Sequence, residues 1–592
     1  QNYCIGMADH EAGLVNQISG LLQNSTVITP SMRQVESADT VLILGEDVTN
    51  TAPRLALALR QSVRNRAREM ASEMKIPLWQ DEAVRVLAQD VLSPLFVVAV
   101  SDTRLDDVAE QTLTFSPSDI ARFGFAIAAQ LDSSLPSVDG FDEEAQQQIE
   151  HIANSLKNAK RPLIVSGTGS QSAAVIDAAS AVVNALQHGE KKNSEAMISY
   201  CLPESNSLGV SLMQSGKEAS LDDLCQRAAN GEIETLLVLE NDLYRRAAQD
   251  EIDKLLSNVA NVVVLDAIDT PTLSQSALAL PAAAFAEAEG TLVSSEGRAQ
   301  CHYPVFLPAE QRQAAWHWLM LLGQALDSPG FKELEHFDHI TAACAAQFAT
   351  LSNITEASPS AEFRNKGLKI PRQTHRYSGR TAMRAGISVH EPKQPQDDDT
   401  PLSYSMEGAN GSQPGALLPF VWSPGWNSNQ SLHKFQSEVG GALAGGTSGV
   451  RLIEPESKTS KPDALKAPKA FKAETNRWQL VPLYRIFGSE ELSARSPAIS
   501  ELISAPFIQL APDDAAKLDV TAGDGVALTL GDKEIVLEVQ VSSATPVGCA
   551  GYAVGLPGAS WLPPETAVSL SKAKKWTKPQ PSPHSAAGGG NV

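Results

Sequence analysis

The sequence predicts an α/β protein built on parallel sheets and ending in a β-rich module. Short, continuously apolar runs are each followed by a stretch with apolar residues three and four apart, a pattern that extends to about residue 280. Strands apolar throughout belong to sheets covered on both faces. After about residue 350 the pattern fades, and from Leu480 alternating runs take over.

Thr40–Leu44 (TVLIL) reads as the first buried strand and leads into Gly45-Glu46-Asp47. Thr49, Asn50 and Thr51 suit a helix cap, and Pro53 suits a first helical turn, where its missing N–H costs nothing. Ala52, Leu55, Leu59, Val63 and Ala67 then form one apolar helix face flanked by Arg60, Arg64 and Arg68. Leu95–Val100 is a strand with Ser118–Leu131 as its helix. Pro162–Ser166 is a strand followed by a helix over Ala173–Leu186. Thr235–Leu239 is followed by a helix through Arg245–Leu256 and then by the strand Val262–Leu265.

Between Pro359 and Pro468 glycine, proline, serine and glutamine dominate, so an arm or insertion is expected. It holds a glycine-rich stretch from Gly440-Gly441 to Gly449, and the acidic run Asp397-Asp398-Asp399 among three prolines in Glu391–Pro401. That run reads as a solvated turn before it reads as a calcium site. Gly525–Leu530 and Lys533–Val541 flank Gly531-Asp532, a hairpin signal. Lys578–Val592 lacks periodicity and reads as a disordered tail.

With 592 residues the chain exceeds one core, and three or more domains are expected. Its formal net charge of -22 argues against nucleic-acid binding and against docking on an anionic membrane surface. No run approaches the ~18 apolar residues of a membrane helix, and no signal peptide is seen. The chain begins at Gln1 in sequence resembling domain interior, so it reads as a fragment or as lacking an N-terminal portion.

The six cysteines (Cys4, Cys201, Cys225, Cys301, Cys344 and Cys549) are scattered, with no Cys-x-x-Cys spacing for a cluster or zinc site. They fit free thiols in a reducing compartment. Gly167-Thr168-Gly169-Ser170-Gln171-Ser172 follows a strand and precedes a helix, as a dinucleotide fingerprint does. Ser172 replaces the last glycine, and Glu190, at the offset of a ribose-binding acid, falls in a loop. The glycine segment therefore reads first as a strand-to-helix turn and second as a phosphate site. Glu287, Glu296 and Arg298 cluster between Phe285 and Gln300. Arg298 would clamp an anion there or, more simply, pair with a carboxylate to fix a turn.

This last stretch carries a resemblance. Leu280-Pro281, Glu287, Gly290-Thr291, Glu296-Gly297-Arg298 and Gln300 resemble a signature of the large iron–sulfur subunit (the G subunit) of bacterial respiratory NADH:quinone oxidoreductases. Ser294 stands where that family usually has asparagine. Ala38–Gly45, Ala159-Lys160-Arg161-Pro162 and Leu483–Pro497 resemble further segments of it. Ala511–Ala516 and Gly523–Val526 resemble its double-psi barrel.

The resemblance implies a molybdopterin-oxidoreductase-like α/β core over residues 1–350, an irregular arm over 351–475, a double-psi β-barrel over 476–575 and a tail over 576–592. It implies a structural part of a proton-translocating NADH:quinone oxidoreductase, in which this chain alone is not catalytic. The implied partners are flavoprotein, ferredoxin-like and quinone-site subunits of the peripheral arm, on the cytoplasmic side of the membrane, without membrane insertion or nucleic acid. No cofactor or metal is expected in this chain, and 2Fe-2S and 4Fe-4S clusters are expected in an N-terminal region of the parent subunit. Gly167, Gly169 and Arg298 remain as vestigial cofactor-binding candidates. The alternatives are a fragment of an active molybdenum or tungsten pterin enzyme and an interaction module without redox role.

Overall fold

The computed structural model describes residues 2–576, apart from 190, 215, 217, 305–307, 363, 366–367, 370–403, 406–407, 410–447, 456–465 and 532. Glu190, Asp397–Asp399, Gly440-Gly441, the tail 578–592 and most of the expected arm lie outside the described residues. The chain divides into two compact units. The first comprises Met7–Ser211, Tyr244–Ile252 and Glu454–Val592, and the second Gln1–Gly6, Leu212–Leu243 and Asp253–Ile453.

The first unit holds a parallel sheet of β1 (Thr40–Leu44), β2 (Leu95–Ala99), β3 (Gln111–Thr114), β4 (Pro162–Gly167) and β5 (Met197–Cys201), in the order β3-β2-β1-β4-β5. Every residue of β1, β2 and β4 is buried, as their unbroken apolar composition requires. The chain adds strands on one side of β1 and then crosses to the other side with β4. The gap between the carboxyl ends of β1 and β4 is thus a topological switch point, where open α/β sheets bind ligands.

The helix expected after β1 is broken into Val48–Thr51, Pro53–Ser62 and Asn65–Glu73. Asn65 is the cause. Its buried side chain turns inward and donates to the carbonyls of Glu36 and Ala38, both at 2.8 Å. The Val63 carbonyl meanwhile accepts from Ser93 N at 2.7 Å. The helix expected from Arg245 begins at Gln249, because Arg245 sits in a 3-10 turn and donates to the carbonyls of Ser489 and Gly555.

The second unit contains a parallel sheet of β6 (Thr235–Leu239), β7 (Asn261–Asp266) and β8 (Leu278–Pro281) in that order. It also contains a hairpin of β9 (Gly290–Val293) and β10 (Arg298–His302), with β11 (Val450–Arg451) antiparallel to β10.

The last part of the first unit is a closed six-stranded barrel. Its strands are β12 (Trp478–Leu483), β13 (Phe507–Leu510), β14 (Gly525–Leu530), β15 (Lys533–Val541), β16 (Cys549–Ala553) and β17 (Ala567–Lys572). They close in the order β12-β16-β13-β15-β14-β17, with β12/β16 and β13/β15 parallel. The expected hairpin is β14–β15, with Leu530 opposite Lys533. Closure removes free sheet edges, and the interior is a continuous apolar core including Leu480, Ile508, Leu510, Val526, Leu528 and Val539.

Candidate binding crevice at the carboxyl ends of β1 and β4

Two loops meet at the switch point. After β1 the chain runs through Gly45, whose φ of +76° is in the left-handed region, into Glu46 and Asp47. Glycine is required at 45: a Cβ would stand 2.6 Å from Val175 Cγ1 and 3.0 Å from Ser170 Oγ. After β4 the chain runs through Gly167-Thr168-Gly169-Ser170-Gln171-Ser172 into the helix Ala173–His188. The motif expected from sequence thus occupies the expected strand-to-helix turn.

The Glu46 side chain reaches into that turn. Gly169 N donates to Glu46 Oε1 at 2.6 Å, and Thr51 Oγ1 donates to Oε2 at 3.2 Å. The glycines make room for it. A Cβ on Gly169 would overlap the carboxyl, 2.8 Å from its Cδ, whereas one on Gly167 would meet the Cys201 carbonyl oxygen first and then Glu46 Oε1 at 2.6 Å. Glu46 is 1% exposed and Ser170 likewise, and the Ser170 hydroxyl has no hydrogen-bond partner. Burial drives the Glu46 carboxyl up from its ordinary value to about 8, against the Gly169 and Thr51 hydrogen bonds that favour the anion.

Barrel residues form the other wall of a cavity of about 350 Å³. Tyr484 accepts from Gln171 Nε2 at 3.1 Å, and burial raises its phenol pKa. Arg485 stacks its guanidinium 4.8 Å from the Phe507 ring centre. Burial lowers its pKa, opposed by the charges of Asp47 and Asp102. Gln509, on β13, donates to Ser101 Oγ and to Thr545 Oγ1, both at 2.9 Å. Ile486 N donates to Asn50 Oδ1 at 2.9 Å. These bonds tie the barrel to the β1 and β2 loops. The charged lining is Glu46, Asp47 and Asp102 against Arg485.

Of the sequence candidates, Gly169 lines this crevice and Gly167 ends β4 beneath it, while Arg298 belongs to the second unit. Arg298 is on β10, where its Nε pairs with Glu296 and its Nη1 donates to Ser448 Oγ at 3.1 Å. It fixes the turn at Gly297, whose φ is +77°. Glu287 accepts from Ala284 N and pairs with Arg312 at 3.2 Å. Sequence reading missed Glu46, Tyr484, Arg485 and Gln509. The available signal for Glu46 was a polar triplet, Gly45-Glu46-Asp47, directly after an apolar strand.

The thiols are quiet. Cys201 and Cys549 are buried, and burial raises both pKa values, that of Cys549 to about 12. Among the described residues no group of three or more His, Cys, Asp or Glu side chains is arranged to hold a metal ion.

Parts of known proteins are similar to this chain. Residues 139–322 match the family model described as molybdopterin oxidoreductase. The G subunit of NADH-quinone oxidoreductase from Pseudomonas fluorescens is 43% identical over 575 residues, covering 95% of this chain and 62% of that relative. Its namesake from Escherichia coli K12 is 41% identical over 568 residues, covering 94% of this chain and 61% of the relative. Among solved structures, acetylene hydratase from Pelobacter acetylenicus aligns with a TM-score of 0.49 at 12% identity, over 92% of this chain and 74% of its own.

The pterin cofactor that such a family implies does not fit this crevice. The amide at the head of the glycine turn is taken by Glu46. The remaining lining sets two aspartates against one arginine, an unfavourable field for a pyrophosphate.

Proposed function

The chain is, over 94–95% of its length, a relative of the G subunit of NADH-quinone oxidoreductases, and from that premise we propose that it is a scaffold portion of such a subunit. The carrying observation is the 41–43% identity over 568–575 residues. The chain spans 61–62% of those relatives' length, so the rest of such a subunit lies outside these residues. The NADH-to-quinone electron path then runs over 2Fe-2S and 4Fe-4S clusters held elsewhere in the subunit and its partners.

In this reading the present residues stiffen a peripheral arm and offer surface to flavoprotein, ferredoxin-like and quinone-site subunits on the cytoplasmic side of the membrane. Three observations support it. The cysteines are scattered and the two buried thiols have raised pKa values, which suits neither clusters nor nucleophiles. The amide of the glycine turn at the switch point is taken by an internal carboxyl. No helix among the described residues is long and apolar enough to cross a membrane. Gly167, Gly169 and Arg298 then have structural roles, at a plugged turn and a fixed hairpin.

The test is affinity purification of the full-length reading frame from its own cells. NADH:quinone reductase activity and iron are expected in the purified complex. Stoichiometric molybdenum or tungsten on this chain would overturn the reading in favour of an active pterin enzyme.

A further inference from the structure

We propose that the amino edge of the first sheet is a docking surface for an acidic peptide segment of another protein, whose carboxylates enter the cavity beside Lys160 and Arg161. This edge lies at the opposite end of the strands from the β1–β4 crevice, and the inference does not depend on the assembly reading above.

The chain is acidic, with a net charge of -22, yet residues 54–75 hold six basic side chains and two acidic ones. Folding adds to this local charge. Asn65 anchors the start of the helix Asn65–Glu73 to the carbonyls of Glu36 and Ala38, just ahead of β1, so Arg64, Arg66 and Arg68 come to the amino edge. Lys160 and Arg161 stand directly before β4, which pairs with β1. Lys191 joins them by donating to Asn158 Oδ1 at 3.3 Å, and Lys192 beside it is exposed. The acidic groups on this edge are Asp39, Glu69, Glu73 and Glu195. Asp39 is engaged by the backbone amides of Lys160 and Arg161, both at 2.8 Å, and Glu69 by Arg66 and Lys160 at 3.3 and 3.4 Å. A local excess of positive charge remains, and it favours an acidic partner.

The cavity at this edge has a volume of about 330 Å³ and is walled by Arg68, Glu69, Ser72 and Glu73 of that helix and by Lys160 and Arg161. Arg161 Nε is buried and, among the described residues, has no hydrogen-bond partner. Unpaired buried donors are rare and costly. A carboxylate accepting from Arg161 would relieve that defect and displace nothing at this nitrogen, and hydrogen bonds between guanidinium and carboxylate are strong. Apolar side chains flank the charges. Val91 and Leu92 are exposed just before β2, and Ser93 next to them accepts from Arg66 N at 2.9 Å. Past Glu73 the chain carries exposed Met74, Leu78 and Trp79, the last of them 80% exposed. Basic groups with large apolar anchors beside them suit a peptide that bears both carboxylates and apolar side chains. A continuous anionic surface, lipid or nucleic acid, would press on the exposed Glu73 and Glu195 as well, whereas a peptide can set its carboxylates between them.

The test is the fluorescence anisotropy of a fluorescein-labelled peptide of Asp-Glu-Leu-Gly repeats, titrated with the whole chain at low salt. A chain of net charge -22 should otherwise repel this probe, so saturable binding is itself discriminating. The probe should bind roughly tenfold more tightly than its neutral counterpart of Asn-Gln-Leu-Gly repeats, and added salt should remove the difference. Arg161→Gln should weaken binding roughly fivefold, and so should the double variant Lys191→Glu with Lys192→Glu. The double variant alters only exposed side chains, so it tests the surface even where Arg161→Gln disturbs the start of β4. Leu92→Ser should weaken the acidic and the neutral peptide alike. No saturable binding to wild type, equal affinity for the two peptides, or an affinity unchanged in the double variant would overturn the proposal. Capture of phosphatidylglycerol vesicles without binding of the peptide would overturn it in favour of a lipid surface.

Discussion

β1 runs out into Leu44-Gly45-Glu46-Asp47 and β6 into Leu239-Glu240-Asn241-Asp242, so each parallel sheet carries a glutamate and an aspartate just past its carboxyl edge. In both places one residue takes a left-handed backbone: Gly45 at φ +76° and Glu240 at φ +46°. The surroundings differ. Gly45 is packed against Val175 and Ser170, and Glu46 beyond it is sealed inside the first unit. Glu240 is exposed, and Asn241 behind it donates to Gly6 O at 2.8 Å. Partial burial and the charge of Asp266 raise the Glu240 carboxyl pKa, but nothing encloses it as the glycine turn encloses Glu46. Two similar strand endings thus yield an occupied turn in one unit and an exposed rim in the other. The difference lies in the local sequence, where Gly45 and Glu46 stand against Glu240 and Asn241, and in what packs around them.

The sharpest way to break this comparison is at the left-handed positions. Gly45→Ala adds a left-handed penalty of about 1–2 kcal/mol to a clash with Val175 Cγ1 at 2.6 Å that costs about 1–3 kcal/mol. Chemical denaturation should therefore show a loss of about 2–5 kcal/mol, and a loss under about 1 kcal/mol would mean that Gly45 is not crowded. Next in size is Gly169→Ala, expected to cost about 1–3 kcal/mol because its Cβ meets the Glu46 carboxyl. In a double-mutant cycle with Glu46→Ala the two changes should couple by about 1 kcal/mol or more, and strict additivity would separate the two residues.

A third prediction concerns pH. The Glu46 carboxyl is raised in the folded chain from 4.5 to about 8, so the folded state holds a proton that the unfolded state releases. Its contribution to stability is full below about pH 4.5 and is lost as pH rises through about 8. Melting temperatures of wild type should therefore fall relative to Glu46→Gln across that window and run parallel to them above it. Parallel curves throughout would place the carboxyl in water. The smallest effect is expected at the open rim: Glu240→Gly removes a left-handed side chain and should change stability by no more than about 1 kcal/mol. A large loss there would show that the second crevice is as tightly built as the first.

The strands legible in the sequence were those with unbroken apolar runs, whether buried throughout like β1, β2 and β4 or largely exposed like β6, together with the hairpin marked by its turn. β1, β2 and β4 are fully buried apolar runs, and each is where its composition puts it. The two outer strands of that sheet were not recognised. β3 reads Gln-Thr-Leu-Thr and is only half-buried, and β5 reads Met-Ile-Ser-Tyr-Cys, with polar groups interrupting the apolar run. The break at Asn65 was hidden because a turned-in asparagine looks in sequence like any exposed polar residue of a helix. The glycine turn was legible as a motif, but its occupant was not. Glu46 and Gly169 are 123 residues apart and meet only because β1 and β4 pair in parallel.

The first unit is assembled from stretches that end at Ser211 and resume for good at Glu454. The wall of barrel residues over the switch point is thus made 243 residues (454 minus 211) after the sheet it covers. At about 5–20 residues per second, a ribosome takes roughly 12–50 s to cross that gap. For that interval the nascent chain carries a finished parallel sheet with its carboxyl edge uncovered, while β6–β8 have everything they need to pair much earlier. Late closure of this kind makes the barrel strands a checkpoint of synthesis. Truncation anywhere before β17 leaves a long, partly folded chain with exposed apolar surface, the kind of species that chaperones and proteases select.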